Sequence, residues 1–184
     1  MKQKTLFKLS EYSSEFGGAL AAKKRKVRRP LSNKNPIHIV LRADIAQSGS
    51  LLKYRSSIEK YFMKFARDFD VRIYKKALVS NHIHFVALFG SRYSYTKFVR
   101  ALTGTLAKNL KIKWHLRPWT RLLKWGRDLN IALKYVLQNH LEAIGEIPYQ
   151  VRRAIKTPLR CRLTRRLSLG PGARKIALRN AINK

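Results

Sequence analysis

The sequence predicts an α+β domain, an antiparallel sheet with two helices on one face and a further helix after the last strand. Three observations predict it. Short stretches rich in β-branched and aromatic residues recur, and the segments between them carry apolar residues at three- and four-residue spacing. The two kinds of stretch follow in the order strand, helix, strand, strand, helix, strand, helix, which packs as a ferredoxin-like plan.

The elements follow from the residues in turn. Ile37–Leu41, after Pro36, is mostly β-branched or apolar and reads as the first strand. Ser50 is placed to cap a helix in which Leu51, Tyr54, Ile58, Tyr61, Phe62, Phe65 and Phe69 recur every three or four residues. Val71–Val79 and His82–Phe89 suit two strands of a hairpin, turned at Ser80 and Asn81 and ended by Gly90. Tyr95, Phe98, Val99, Leu102, Leu106 and Leu110 mark a second helix, with Gly104 an interruption. Pro118 precedes a fourth strand that closes at Gly126. Asp128 is placed to cap a third helix from about Leu129 to Ile144, and Gly145 stands where a left-handed helix end favours glycine.

Outside this core, residues 1–36 hold the run Lys23, Lys24, Arg25, Lys26, Arg28 and Arg29, show little periodicity, and read as a flexible basic arm. Such a run serves as a phosphate-binding arm, an import signal or a solvated tail, and the residues leave these open. Residues 148–184 form a basic tail interrupted by Pro158 and by Gly170, Pro171 and Gly172. The expected organisation is therefore an arm (1–36), a core domain (37–147) and a tail (148–184).

Charge narrows the partner. Forty-one Lys and Arg against nine Asp and Glu give a formal charge of +32 over 184 residues, which self-repels unless a polyanion neutralises it. Nucleic acid is the natural partner, whether the chain is a structural binder or an enzyme. No apolar run approaches the roughly 20 residues of a membrane span, so no membrane is expected. Cys161 is the only cysteine, which excludes an internal disulfide and a cysteine-built zinc site. Met1–Leu9 lacks the succession of a secretory signal. A cytoplasmic, nucleoid-associated protein is the expectation.

Two groups of residues carry chemistry. His82 and His84 flank Ile83 on a predicted strand, so both imidazoles project from one side; two neutral imidazoles can hold one divalent cation, and the same triplet also suits two hydrogen-bonded polar residues. Tyr135 and Asn139, four residues apart on the third helix, lie one turn apart on one face.

Together these motifs carry a resemblance. Asn81-His82-Ile83-His84-Phe85, followed far downstream by Tyr135-Val136-Leu137-Gln138-Asn139, resembles the signature of single-tyrosine HUH transposases, the insertion-sequence-200-like family and its REP-associated branch. Pro36–Ala43 resembles that family's opening strand and Pro118–Gly126 the aromatic, arginine-bearing stretch before its tyrosine helix, so the likeness covers roughly residues 36 to 147. Val79 and Ser80 depart from the methionine and proline that many relatives carry there.

The resemblance implies a DNA strand transferase. His82, His84 and Asn139 would bind a divalent cation, Mg2+ or Mn2+, and Tyr135 would attack a phosphate of single-stranded, hairpin-bearing DNA. A 5′-phosphotyrosine and a free 3′ hydroxyl would result, conserving the energy needed for rejoining. A phenol ordinarily titrates near 10, so the site must help the nucleophile, and no base is assigned. Gln138 and His140 are alternative third ligands, each turned about 100° from Asn139 around the helix.

Other residues stand beside this set. Arg117, Arg121 and Arg127, interleaved with Trp114, Trp119 and Trp125, are candidates for phosphate contact and base stacking, as are Lys23, Lys24, Arg25 and Lys26 for phosphate contact; a tryptophan core is the competing reading. His38 reads as a core histidine outside the site. Asp44, Glu59, Asp68, Asp70 and Asp128 are too sparse for a carboxylate-held two-metal centre. The rival is a non-catalytic DNA- or RNA-binding protein, such as a domesticated transposase, and a homodimer with shared sites stays open beside a monomer.

Overall fold

The computed structural model describes residues 14–21 and 28–150; the run Lys23–Lys26 and the tail from residue 151 lie outside them. Five strands form one sheet: β1 (Glu15–Phe16), β2 (Ile37–Arg42), β3 (Val71–Leu78), β4 (His82–Phe89) and β5 (Trp119–Leu122), in the order β1-β5-β2-β4-β3 with every neighbouring pair antiparallel. A short α1 (Ile45–Ser48) follows β2, and three longer helices complete the unit: α2 (Arg55–Asp68), α3 (Arg92–Leu110) and α4 (Arg127–Ile144). The last four strands with α2 and α3 make the expected ferredoxin-like arrangement, and α4 is the added tyrosine-bearing helix.

The alternation of the strands sets what each face buries. Ile37, Ile39 and Leu41 of β2 join Ile83, Phe85, Ala87 and Phe89 of β4 beneath Ile58 and Phe62 of α2 and Phe98, Leu102 and Leu106 of α3. At the centre, Phe98 meets Phe62, Phe85 and Phe89 edge-on, with ring centroids 5.4 to 5.9 Å apart. The opposite face is smaller. There Ala77 and Val86 receive Leu129, Ala132 and Val136 of α4.

Several boundaries differ from those the sequence predicts. Ser50 does cap, its Oγ accepting from Leu52 N at 3.3 Å, but the turn it opens is a tight one over Leu51–Tyr54 before α2 begins. Asp128 does not cap α4. The helix starts at Arg127 with Gly126 ahead of it at φ +85°, a conformation L side chains rarely adopt. The Asp128 carboxylate is engaged elsewhere, accepting from Arg121 at 2.7 Å and from Lys124 N at 3.1 Å. Gly145 ends α4 in the left-handed conformation, as expected.

Part of the basic segment is drawn into the sheet. Glu15–Phe16 pairs with Thr120 and Arg121 of β5. Arg29 fastens it, donating to Thr120 Oγ1 at 2.6 Å while its guanidinium lies 4.6 Å from the Phe16 ring centroid. Nothing in the hydrophobic periodicity marks so short a strand.

Candidate functional site

The β3–β4 turn is fixed before any functional side chain is considered. Asn81 O accepts from Ala43 N at 2.9 Å and Ser80 O from Leu51 N at 2.8 Å, so the turn is tied to the end of β2 and to the tight turn before α2. β4 leaves it with His82 and His84 on the face that α4 covers, out of phase with Ile83 and Phe85. His84 pairs in register with Val40 on one side and Ala77 on the other, and the small Ala77 leaves room for α4 to approach.

The two imidazoles converge. Nε2 of His82 and Nε2 of His84 contact each other directly, with the rings at 78°. Asn81 Oδ1 faces Nδ1 of His82; an amide oxygen can only accept, and the tautomer that matches it carries the hydrogen on Nδ1 and the lone pair on Nε2. An amide oxygen orienting the far side of an imidazole is the arrangement that prepares a histidine as a metal ligand. His84 is 3% exposed and His82 half-buried, so the common point opens to solvent on the His82 side.

Tyr135 stands on the same face. Its ring meets His84 edge to face, centroids 5.6 Å apart at 88°, within one chain. Asn139, one turn later, is 4% exposed, and its Nδ2 donates to Tyr135 O at 2.7 Å. Only the amide nitrogen can face a carbonyl, so Oδ1 turns the other way. Among the described residues no three His, Cys, Asp or Glu surround a common point. The two converging imidazoles are donors that suit a divalent cation. Of the other two third-ligand candidates, Gln138 donates to Glu142 at 2.9 Å and His140 lines a cleft with Arg55, Glu59 and Lys76.

His38 is a neighbour that periodicity leaves in the core. It is buried, as expected, but in the wall of this site: its ring stacks on His84 at 5.7 Å, meets Tyr135 at 6.0 Å and Trp119 at 5.3 Å. Burial, with Arg121 and His82 adding to it, pushes its pKa down to about 4 and keeps it neutral. Its Nε2 makes no hydrogen bond among the described residues. The signal was its phase on β2, opposite to Ile37, Ile39 and Leu41, but that phase means something only once β2 is registered against β4.

The arginines and tryptophans separate. Arg121 is held by Asp128, while Arg117 and Arg127 are exposed. Trp114 donates to Thr103 O at 3.0 Å against the main core and Trp119 packs on His38, whereas Trp125 is open to solvent. No helix among the described residues is long and apolar enough to cross a membrane.

Comparison with known proteins supplies a family and a fold. The family described as "Transposase IS200 like" matches residues 32–127, a stretch that contains His82 and His84 and ends where α4 begins. A REP-associated tyrosine transposase, solved bound to a REP hairpin, superposes with a TM-score of 0.54 over 68% of this chain and 81% of that one; at 15% identity the likeness is one of fold. A candidate transposase from Deinococcus radiodurans R1 covers 64% of this chain and 98% of its own at 12% identity, with a TM-score of 0.40, too slight an overlap to carry an argument. No curated protein sequence matches the chain.

Proposed function

The chain belongs to the IS200-like transposase family, and from that premise we propose that it nicks and rejoins single-stranded DNA through Tyr135. The observation that carries the reading is the edge-to-face approach of Tyr135 to His84, on the sheet face where the two Nε2 atoms converge. Tyr135 lies beyond the matched stretch, so its role rests on that geometry and on the resemblance of its helix. The relative solved with a REP hairpin makes hairpin-bearing DNA the substrate we propose.

The chemistry balances within the strand. The Tyr135 oxygen attacks phosphorus as the bond to the 3′ oxygen breaks; the phenol loses its proton and the departing 3′ oxygen gains one. A phosphotyrosine ester on the 5′ side replaces the phosphodiester, so rejoining to another 3′ hydroxyl needs no nucleotide cofactor. His82, His84 and Asn139 would hold Mg2+ or Mn2+, which would supply charge withdrawal from the phosphate. Asn81 Oδ1 faces Nδ1 of His82, and the ring of His38 packs against both His84 and Tyr135.

The test is incubation of the protein with hairpin-bearing single-stranded DNA and Mn2+, followed by denaturing electrophoresis. A covalent adduct that disappears in Tyr135→Phe is expected. Binding without an adduct across varied hairpins would instead identify a non-catalytic nucleic-acid-binding descendant of the family.

A further inference from the structure

Trp125 combines exposure with fixed orientation. It is 52% exposed, yet its Nε1 donates to Lys34 O at 2.8 Å and its ring meets Tyr74 at 86° with centroids 6.0 Å apart. A single exposed apolar residue is ordinary, so the surroundings must decide what it is for. Trp125 shares a shallow groove with Lys124, Arg127, Asp128 and Ile131. Lys124 and Arg127 are exposed, and the one acid there, Asp128, is already ion-paired to Arg121. The groove therefore presents an aromatic ring flanked by two cations to solvent.

The position of the groove at the start of α4 links it to the nucleophile. Arg127, Ile131, Tyr135 and Asn139 follow at four-residue steps, and each step turns about 40° around the axis. The row consequently winds from solvent into the sheet. Arg127 is exposed, Ile131 is 44% exposed, Tyr135 is half-buried and Asn139 is buried. From Arg127 to Tyr135 the rise is about 12 Å, a span that a few nucleotides of extended strand can bridge.

We propose that this groove is a single-stranded DNA subsite, in which an unpaired base near the scissile phosphate stacks on Trp125 while Arg127 and Lys124 hold the adjoining backbone. The assignment rests on the strand-cleaving reading of Tyr135. Charge complementarity selects the occupant, since a chain of formal charge +32 favours a polyanion, and a held aromatic ring accepts any base because every base has a π face. Such a ring is already oriented, so little side-chain freedom is lost on binding.

The test is independent of cleavage. Tyr135→Phe protein without divalent cation is titrated, by fluorescence anisotropy, with a short mixed-sequence single-stranded oligonucleotide carrying one abasic nucleotide moved stepwise along it. Adding Trp125→Ala should weaken binding of the intact oligonucleotide about tenfold, within the range for loss of one base–aromatic stack. At one position the abasic penalty should be present with Trp125 and absent without it, a coupling that general loss of fold does not produce. Arg127→Gln should lower the slope of log affinity against log salt by about 0.7. Trp125→Leu, which keeps apolar contact with Tyr74, serves the same comparison should the alanine variant fail to fold. Unchanged affinity without the ring, or abasic penalties that Trp125 does not alter, would overturn the subsite. If the coupling is present but no hairpin ever yields an adduct, the subsite stands and the cleavage reading fails.

Discussion

Tyr135 and His84 stand edge to face with ring centroids 5.6 Å apart, although one comes from α4 and the other from β4. The nucleophile proposed and the imidazole pair therefore belong to the same chain, and no second copy has to supply either.

One prediction follows directly. Mixing Tyr135→Phe with His84→Ala protein should produce no covalent DNA adduct, whereas each wild-type chain makes its own. Substantial adduct formation by the mixture, read on a denaturing gel, would mean that the tyrosine helix is exchanged between chains.

Asn81 should act through His82. Its Oδ1 orients that imidazole, so Asn81→Ala should lower the affinity for Mn2+, or the adduct rate at limiting Mn2+, by about 10- to 100-fold, as loss of such a partner commonly does. Saturating Mn2+ should restore much of the rate. A Mn2+ dependence equal to that of wild type would show that the tautomer is set in some other way.

The main core should resist truncation unequally. Phe98 has no exposed surface and touches three other aromatic rings, so Phe98→Ala should cost about 3–5 kcal/mol of unfolding free energy. Met63, at the exposed side of α2, should cost no more than about 0.5 kcal/mol when changed to alanine. Urea denaturation of both variants measures the contrast, and a small loss at Phe98 would contradict the packing described.

The basic run Lys23, Lys24, Arg25, Lys26 should govern salt sensitivity rather than chemistry. Replacing all four with glutamine should flatten the slope of log affinity against log salt by about 0.7 for each single-strand phosphate that the run neutralises. The adduct rate at saturating DNA should change little. An unaltered slope in a filter-binding titration would exclude these residues from the interface.

Local pattern carried much of this molecule. The alternation of His82, Ile83 and His84 on a strand, the four-residue step from Tyr135 to Asn139 and the apolar spacing of α2 and α3 depend only on backbone repeat lengths, and these were readable one segment at a time. Which surfaces meet is different, because it depends on partners far along the chain. Registering His84 against Val40 and Ala77, and docking α4 on Ala77 and Val86, brought Tyr135 and His38 to the imidazole pair; the same packing drew Asp128 from a helix cap to Arg121 and left Trp125 the open tryptophan. A periodic sequence specifies the faces of each element, but burial of complementary apolar surface between distant elements chooses which faces come together, and only the assembled fold contains that choice.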